Sequence, residues 1–310
     1  MAGLAAARVL RASGRETVVV DKGRGVGGRM ASRRIANAVF DHGAQFFTAR
    51  DPGFHRSVES WLGAGAAREW CRGFGGAQDG HPRWRGTPSM TAVPKALAEG
   101  LDVRTERRVL SIVRGRGEDT WLARFDDGEP IRARSIIMTP PVPQSLAILA
   151  AGETEVDPSL HSRLSAIEYE RCLAVMAVLD GPSGIPEPGV VRDPGGPIAW
   201  IADNAVKGVS PVPAVTIHAH DAFSRESWGG DREAAGRELI RSARRWIGSN
   251  VTDFQVHGWR YSKPVGVFEE RFCIAGDRPT LILAGDAFAG PRVEGAALSG
   301  RAAAEALIGQ

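Results

Sequence analysis

The residues with the clearest chemistry stand at 18–34, VVVDKGRGVGGRMASRR. Asp21 ends a run of valines, and a carboxylate at the carboxyl end of a buried strand can accept both hydroxyls of a ribose. Gly23, Gly25, Gly27 and Gly28 follow, with Arg24 and Arg29 among them. A loop of this kind lets backbone amides and a guanidinium close in on a pyrophosphate. A second such place is Gly285-Asp286-Ala287, behind an apolar strand, where open α/β sheets bind their ligands. Val293-Glu294-Gly295-Ala296-Ala297 then opens a helix whose N-terminal amides and positive dipole end favour negative charge. His218 and His220 share one strand face, but no third ligand or cysteine is in range. Ordinary strand residues are expected there, and no metal site.

The elements that must position these residues can be read from periodicity. An alanine-rich helix over 2–13 stops at Gly14, and a strand over 17–20 delivers Asp21. Residues 54–62 suggest a short helix, 70–84 a loop with strand pieces, and 89–100 a helix. Alternating residues over 101–112 and 120–125, joined by a Gly/Arg-rich turn, predict a hairpin, and 131–139 another strand. Linker and helix follow at 153–165. Strands at 173–179, 197–201 and 214–219 predict a second, mostly antiparallel sheet. The spacing of Ala235, Leu239, Ile240, Ala243 and Ile247 predicts an amphipathic helix over 232–247. A strand at 256–261, a buried strand at 280–283 and a closing helix at 294–308 complete the chain.

Composition bounds the function. The chain has 310 residues, 43% hydrophobic and 24% charged, as an ordinary globular protein does. No apolar run approaches the roughly 18 residues of a membrane span. The formal charge of +3 is far from a nucleic-acid footprint. Met1 runs straight into the alanine-rich helix without a leader pattern. Cys71, Cys172 and Cys273 are solitary and odd in number, which argues against a disulfide framework or zinc site. A cytoplasmic location is expected.

DKGRGVGGRMASRR at 21–34 with FDHGAQFFTARDPGF at 40–54 resembles the second FAD-binding segment of renalase-like flavoproteins, within the amine-oxidase-like FAD superfamily. LAGDAFAGPRVEGAALSGRAAAEAL at 283–307 resembles that superfamily's last flavin-contacting strand, loop and helix. MAGLAAARVL looks like the tail of GxGxxG, with Gly3 in the place of the third glycine. The first strand and first two glycines of that motif have no counterpart.

The resemblance implies an α/β fold (α+β overall), with a Rossmann-type FAD-binding domain and an inserted, mostly antiparallel substrate domain. The expected boundaries are 1–50, 95–150 and 268–310 for the first, and 51–94 and 151–267 for the second. FAD would meet Gly3, Asp21, Lys22, Arg24, Gly28, Arg29, Gly43, Ala44, Gln45, Val109, Asp286, Val293, Gly295, Ala296 and Ala297. His42, Gly43, Ala44 and Gln45 would run beneath the flavin, Val109 would contact adenine, and Asp286 the ribityl–pyrophosphate part. Trp259, Arg260 and Tyr261 would face the flavin from the substrate domain. With Gln45 and His42 they are the candidates for chemistry. The implied reaction passes a hydride from a small planar substrate to flavin N5, with molecular oxygen as acceptor. A 2- or 6-dihydro isomer of the nicotinamide dinucleotide NAD(P) would be such a substrate. An amine oxidase of the same superfamily, and a degenerate protein that has lost FAD, are the alternative expectations.

Overall fold

The computed structural model describes residues 1–74, 77–115, 119–288 and 290–309. It divides into two units: Met1–Gly28 with Pro94–Glu168 and Pro264–Gln310, and Arg29–Val93 with Tyr169–Lys263.

The first unit is built on the helix Ala2–Ala12, whose buried Ala2, Leu4, Ala6 and Ala7 form its inner face. Alanine is the strongest helix former, and small side chains let helices approach closely. A Cβ on Gly300 would lie 2.0 Å from the Ala2 carbonyl oxygen, so this helix and the closing helix Val293–Ile308 touch backbone to backbone. The strand Val18–Val20 pairs in parallel with Asp102–Arg104. Ser135–Met138 pairs in parallel with Thr280–Ala284, which is antiparallel to Phe272–Gly276. Ile282, Ala284, Ala303 and Leu307 make the core beneath, with Leu10, Ile137 and Phe272 packed on it. A small antiparallel sheet of Val109–Arg114, Trp121–Phe125 and Ile131–Ala133 lies apart from these ladders.

The second unit centres on a five-stranded sheet. Its order is Val190–Gly195, Ile198–Asp203, Ala214–Ala219, Glu168–Leu179 and Val251–Val265. The helix Arg232–Ser242, with Asp231 accepting from the Glu233 amide as its N-cap, lays Ala235 and Leu239 on one face of that sheet. On another side, Ile35, Ala38 and Phe40 of the hairpin Ser32–Ile35/Ala38–Asp41 pack against Met176 and Ala214. That packing is why 29–50 belongs to the second unit and not, as the sequence suggests, to the first. Conversely, the helix Pro158–Ser165 follows the helix Val142–Ala151 in the first unit, although 151–267 was expected in the substrate domain.

Three strand expectations need correction. Residues 70–74 and 77–84 are not loop, since the strands Ala67–Phe74 and Ala77–Gly86 pair antiparallel. The second strand carries Gly80 and Pro82 ahead of Trp84, where its outer edge makes an antiparallel bridge to Phe47. Pro82 is tolerated on an outer edge because it has no backbone N–H to give a neighbouring strand. The expected strand 101–112 is two strands in different sheets, separated at Glu106 by a left-handed φ of 56°. Part of the Gly/Arg-rich turn after it, 116–118, lies outside the described residues. The expected strand 131–139 likewise divides, with Ile131–Ala133 and Ser135–Met138 joining different sheets. Among the described residues no helix is long and apolar enough to cross a membrane.

Candidate functional site

In the first unit, the predicted residues collect at the carboxyl ends of parallel strands, where the backbone of an α/β sheet leaves room for a ligand. The Asp21 amide donates to the Arg104 carbonyl at 3.0 Å, and the Arg107 amide donates back to the Asp21 carbonyl at 3.0 Å. Asp21 Oδ1 accepts from the Gly23 amide at 2.7 Å, which shapes the turn into the glycine loop. Lys22 and Arg24 are exposed on that loop. Gly27 and Gly28 have φ of 119° and 53°, and a Cβ on Gly25 or Gly28 would meet open space. Val109 begins its strand two residues beyond the backbone bonded to Asp21.

The second cluster of this unit surrounds Gly285. Its φ of 141° is a left-handed value that favours glycine, and its amide donates to Ser299 Oγ at 2.8 Å. Gly3 packs so closely that a Cβ would sit 3.1 Å from Thr139 Oγ1, at the end of the adjoining parallel strand. Asp286 is half-buried just beyond. A Cβ on Gly295 would lie 2.2 Å from the Gly290 carbonyl oxygen, so the turn 290–295 folds back on the helix start. Val293, Gly295 and Ala296 are half-buried in that first turn and Ala297 is buried, and no side chain caps the helix at Arg292.

In the second unit, His42, Gly43, Ala44 and Gln45 are held from several directions. The Ala44 amide donates to the Arg29 carbonyl at 2.8 Å. A Cβ on Gly43 would lie 2.1 Å from that same oxygen and 3.3 Å from Trp259 Cζ2. The His42 carbonyl accepts from Trp259 Nε1 at 2.8 Å and contacts His218 Nε2 at 3.1 Å. The His42 ring stacks on Trp259 at 5.2 Å and meets His257 edge-on at 5.0 Å. Its Nδ1 is buried without a hydrogen-bond partner. Burial, reinforced by His257 and Arg33, pushes the His42 pKa down to about 3. Burial likewise takes His218 and His257 down to about 4. All three imidazoles are therefore neutral at pH 7.

Two residues take parts other than the expected ones. Gln45 has no amide group left for a ligand: Nε2 donates to the carbonyls of Asp41 and Gly43, and Oε1 accepts from Lys207 Nζ at 3.4 Å. Arg29 Nη1 donates to the Tyr261 and Ser262 carbonyls of the long strand Val251–Val265, both at 3.2 Å. Arg260 is exposed, its guanidinium 5.8 Å from the Tyr261 ring, and Tyr261 meets Tyr169 edge-on at 5.5 Å. His218 and His220 serve different partners, the latter bonding Asp193 at 3.0 Å.

Sequence reasoning missed the charges beneath this segment. Asp41 and Lys207 pair at 2.9 Å with both side chains at 0% exposure. Lys207 is one of only four lysines in an arginine-rich chain, at 22, 95, 207 and 263, and that rarity was the available signal.

A family model described as flavin containing amine oxidoreductase matches residues 61–308, and one described as an NAD(P)-binding Rossmann-like domain matches residues 1–60. Among solved structures, a triple variant of a putrescine oxidase superposes with a TM-score of 0.75 at 14% identity, covering 99% of this chain and 96% of its own. A protein of Exiguobacterium assigned as a protoporphyrinogen oxidase gives 0.72 at 13%, covering 100% and 97%. A fatty acid isomerase from P. acnes gives 0.65 at 12%, covering 98% and 96%. At such identities the likeness is one of fold.

Proposed function

The chain belongs to the flavin containing amine oxidoreductase family, and from that premise we propose that it oxidises a small planar substrate in the manner of the renalase-like flavoproteins. It is an FAD-dependent oxidoreductase.

The residues present fit FAD. Asp21 stands at the carboxyl end of its strand with a carboxylate suited to ribose hydroxyls. The open space at Gly25 and Gly28 suits a pyrophosphate approaching backbone amides. The buried, unpartnered Nδ1 of His42 suits a ligand that completes its hydrogen bonding, since an orphaned buried polar atom costs about 1–3 kcal/mol. When bound, FAD supplies the hydride acceptor and hands the electrons on to oxygen.

The remaining work falls to the protein. Asp21, Lys22, Arg24 and Gly28 would hold the adenosine and pyrophosphate, with Gly3 packing the helix and Val109 beside the adenine. Asp286 and the first-turn amides of Val293, Gly295, Ala296 and Ala297 would take the far end. Gly43 and Ala44 offer backbone without bulk to a flat ring, and Trp259, stacked on His42, fixes the plane of that surface.

The imidazole of the segment, His42, is buried with its ring stacked on Trp259, and its pKa is pushed down to about 3, so it supplies no general base at neutral pH. A general base works best with a pKa near the operating pH. Hydride loss from a dihydropyridine needs no such base, because the ring becomes an aromatic cation without giving up a proton. Positioning is what this site provides. Hydride loss from a neutral amine needs no base either, so the choice of a 2- or 6-dihydro isomer of NAD(P), with oxygen as acceptor, rests on the resemblance of 21–34 and 40–54 to the renalase-like flavoproteins. The family's description and the putrescine oxidase likeness support a second reading, oxidation of an amine.

Anaerobic mixing of the FAD-loaded protein with each class decides between them. Bleaching of the flavin by the dihydronicotinamide isomers, and not by putrescine or other amines, is expected. Bleaching by amines alone would replace this reading with the second.

A further inference from the structure

Stability alone gives little reason for the buried pair of Asp41 and Lys207. Desolvating two ions costs several kcal/mol each, and buried pairs are often no better than apolar replacements. Yet every part of this pair is built. Asp41 Oδ1 accepts from Ser32 Oγ at 2.7 Å and from the Met90 amide at 2.9 Å, while Oδ2 accepts from Lys207 Nζ at 2.9 Å. Lys207 reaches Gln45 Oε1 with a second proton and lies 4.9 Å above the Trp70 ring. A turn capped by Asp203, which accepts from the Ala205 and Val206 amides, aims Lys207 inward. Its neighbour Asn204 accepts from the Asp41 amide at 3.1 Å. A second buried cation, Arg85, donates to the carbonyls of Gly86 at 2.9 Å and Gly208 at 3.0 Å.

The segment 41–45 is therefore gripped by a network in which Lys207 meets the Asp41 carboxylate and Gln45, with the buried Arg85 nearby, the buried Asp203 carboxylate holding the turn that carries Lys207, and neutral histidines on the other side. We propose that Lys207 is a positioning residue of the redox site, which with Asp41 fixes the 42–45 segment and places a cation directly beneath it, so that the electron-rich reduced flavin is favoured. This inference rests on the reading that 42–45 lies against the flavin.

The test is the reduction potential of the bound FAD in the full chain, in the wild type, Lys207→Met, Asp41→Asn and the double variant. At a fixed reference potential, Lys207→Met should lower the reduced-to-oxidised ratio by about tenfold, the effect of removing one nearby unit charge. Asp41→Asn should raise the ratio, and the double variant should return it towards the wild type. A pair with only a structural role would lower melting temperatures without splitting the potentials in opposite directions. Shifts of the same sign, or none, would overturn the inference while leaving flavin binding intact. Where Lys207→Met does not fold, Lys207→Gln makes the same change of charge while its amide still bonds Asp41. A wild-type chain that takes up no flavin would overturn the reading and this inference with it.

Discussion

The indole N–H of Trp259 donates to the carbonyl of His42 at 2.8 Å, joining residues 217 positions apart. The same carbonyl receives His218, and the two rings stack, so one bond fixes both the long strand and the turn before Gly43. Trp259→Phe keeps a stacking ring and removes one donor. The expected loss is about 1 kcal/mol, seen as a melting temperature lower by about 2–4 °C. An unchanged melting temperature would show that the bond carries no weight.

Gly43 admits no larger residue. The added methyl of Gly43→Ala would lie 2.1 Å from the Arg29 carbonyl oxygen, against backbone that cannot rotate away. Overpacking of this kind costs about 1–3 kcal/mol. The variant should also release FAD more readily than the wild type, measured as free flavin after gel filtration. Full retention would separate Gly43 from the cofactor surface.

Acid should destabilise the protein through its buried histidines. His42 and His218 have folded pKa values of about 3 and 4, below the ordinary 6.5. Between pH about 6.5 and 4 the unfolded chain takes up protons that the folded chain does not. Stability is therefore full above that window and falls as the pH drops through it, by up to about 1.4 kcal/mol per pH unit for each histidine. Melting curves across this range check the slope, and His218→Gln should flatten it by about one proton. A flat profile in the wild type would contradict the burial of these rings.

The ends of the chain were legible because local rules govern them. Val18–Val20 ending in Asp21, and Thr280–Ala284 ending in Gly285-Asp286, announce strand ends within a few residues. The strand Val190–Gly195 was not legible, since Asp193, Pro194 and Gly195 contradict strand propensity. It survives as the edge of its sheet, where a missing donor does little harm. Glu106 gave no sign of its left-handed turn, and so two strands read as one. At the site, His42 and Trp259 could be named, but not the bond between them. Lys207 lies 166 residues from Asp41, and no spacing rule links two such positions. Gln45 was expected to offer its amide outward, and only the three-dimensional surroundings reveal that both ends are used within.

The central claim is that this chain binds FAD, with Asp21 and the glycine loop of the first unit holding its adenosine and pyrophosphate. The most direct measurement is the visible absorption spectrum of the purified full chain after incubation with FAD and removal of the excess. The account predicts flavin bands corresponding to about one FAD per chain, lost to a large extent in Asp21→Ala. A folded chain that stays colourless would contradict it.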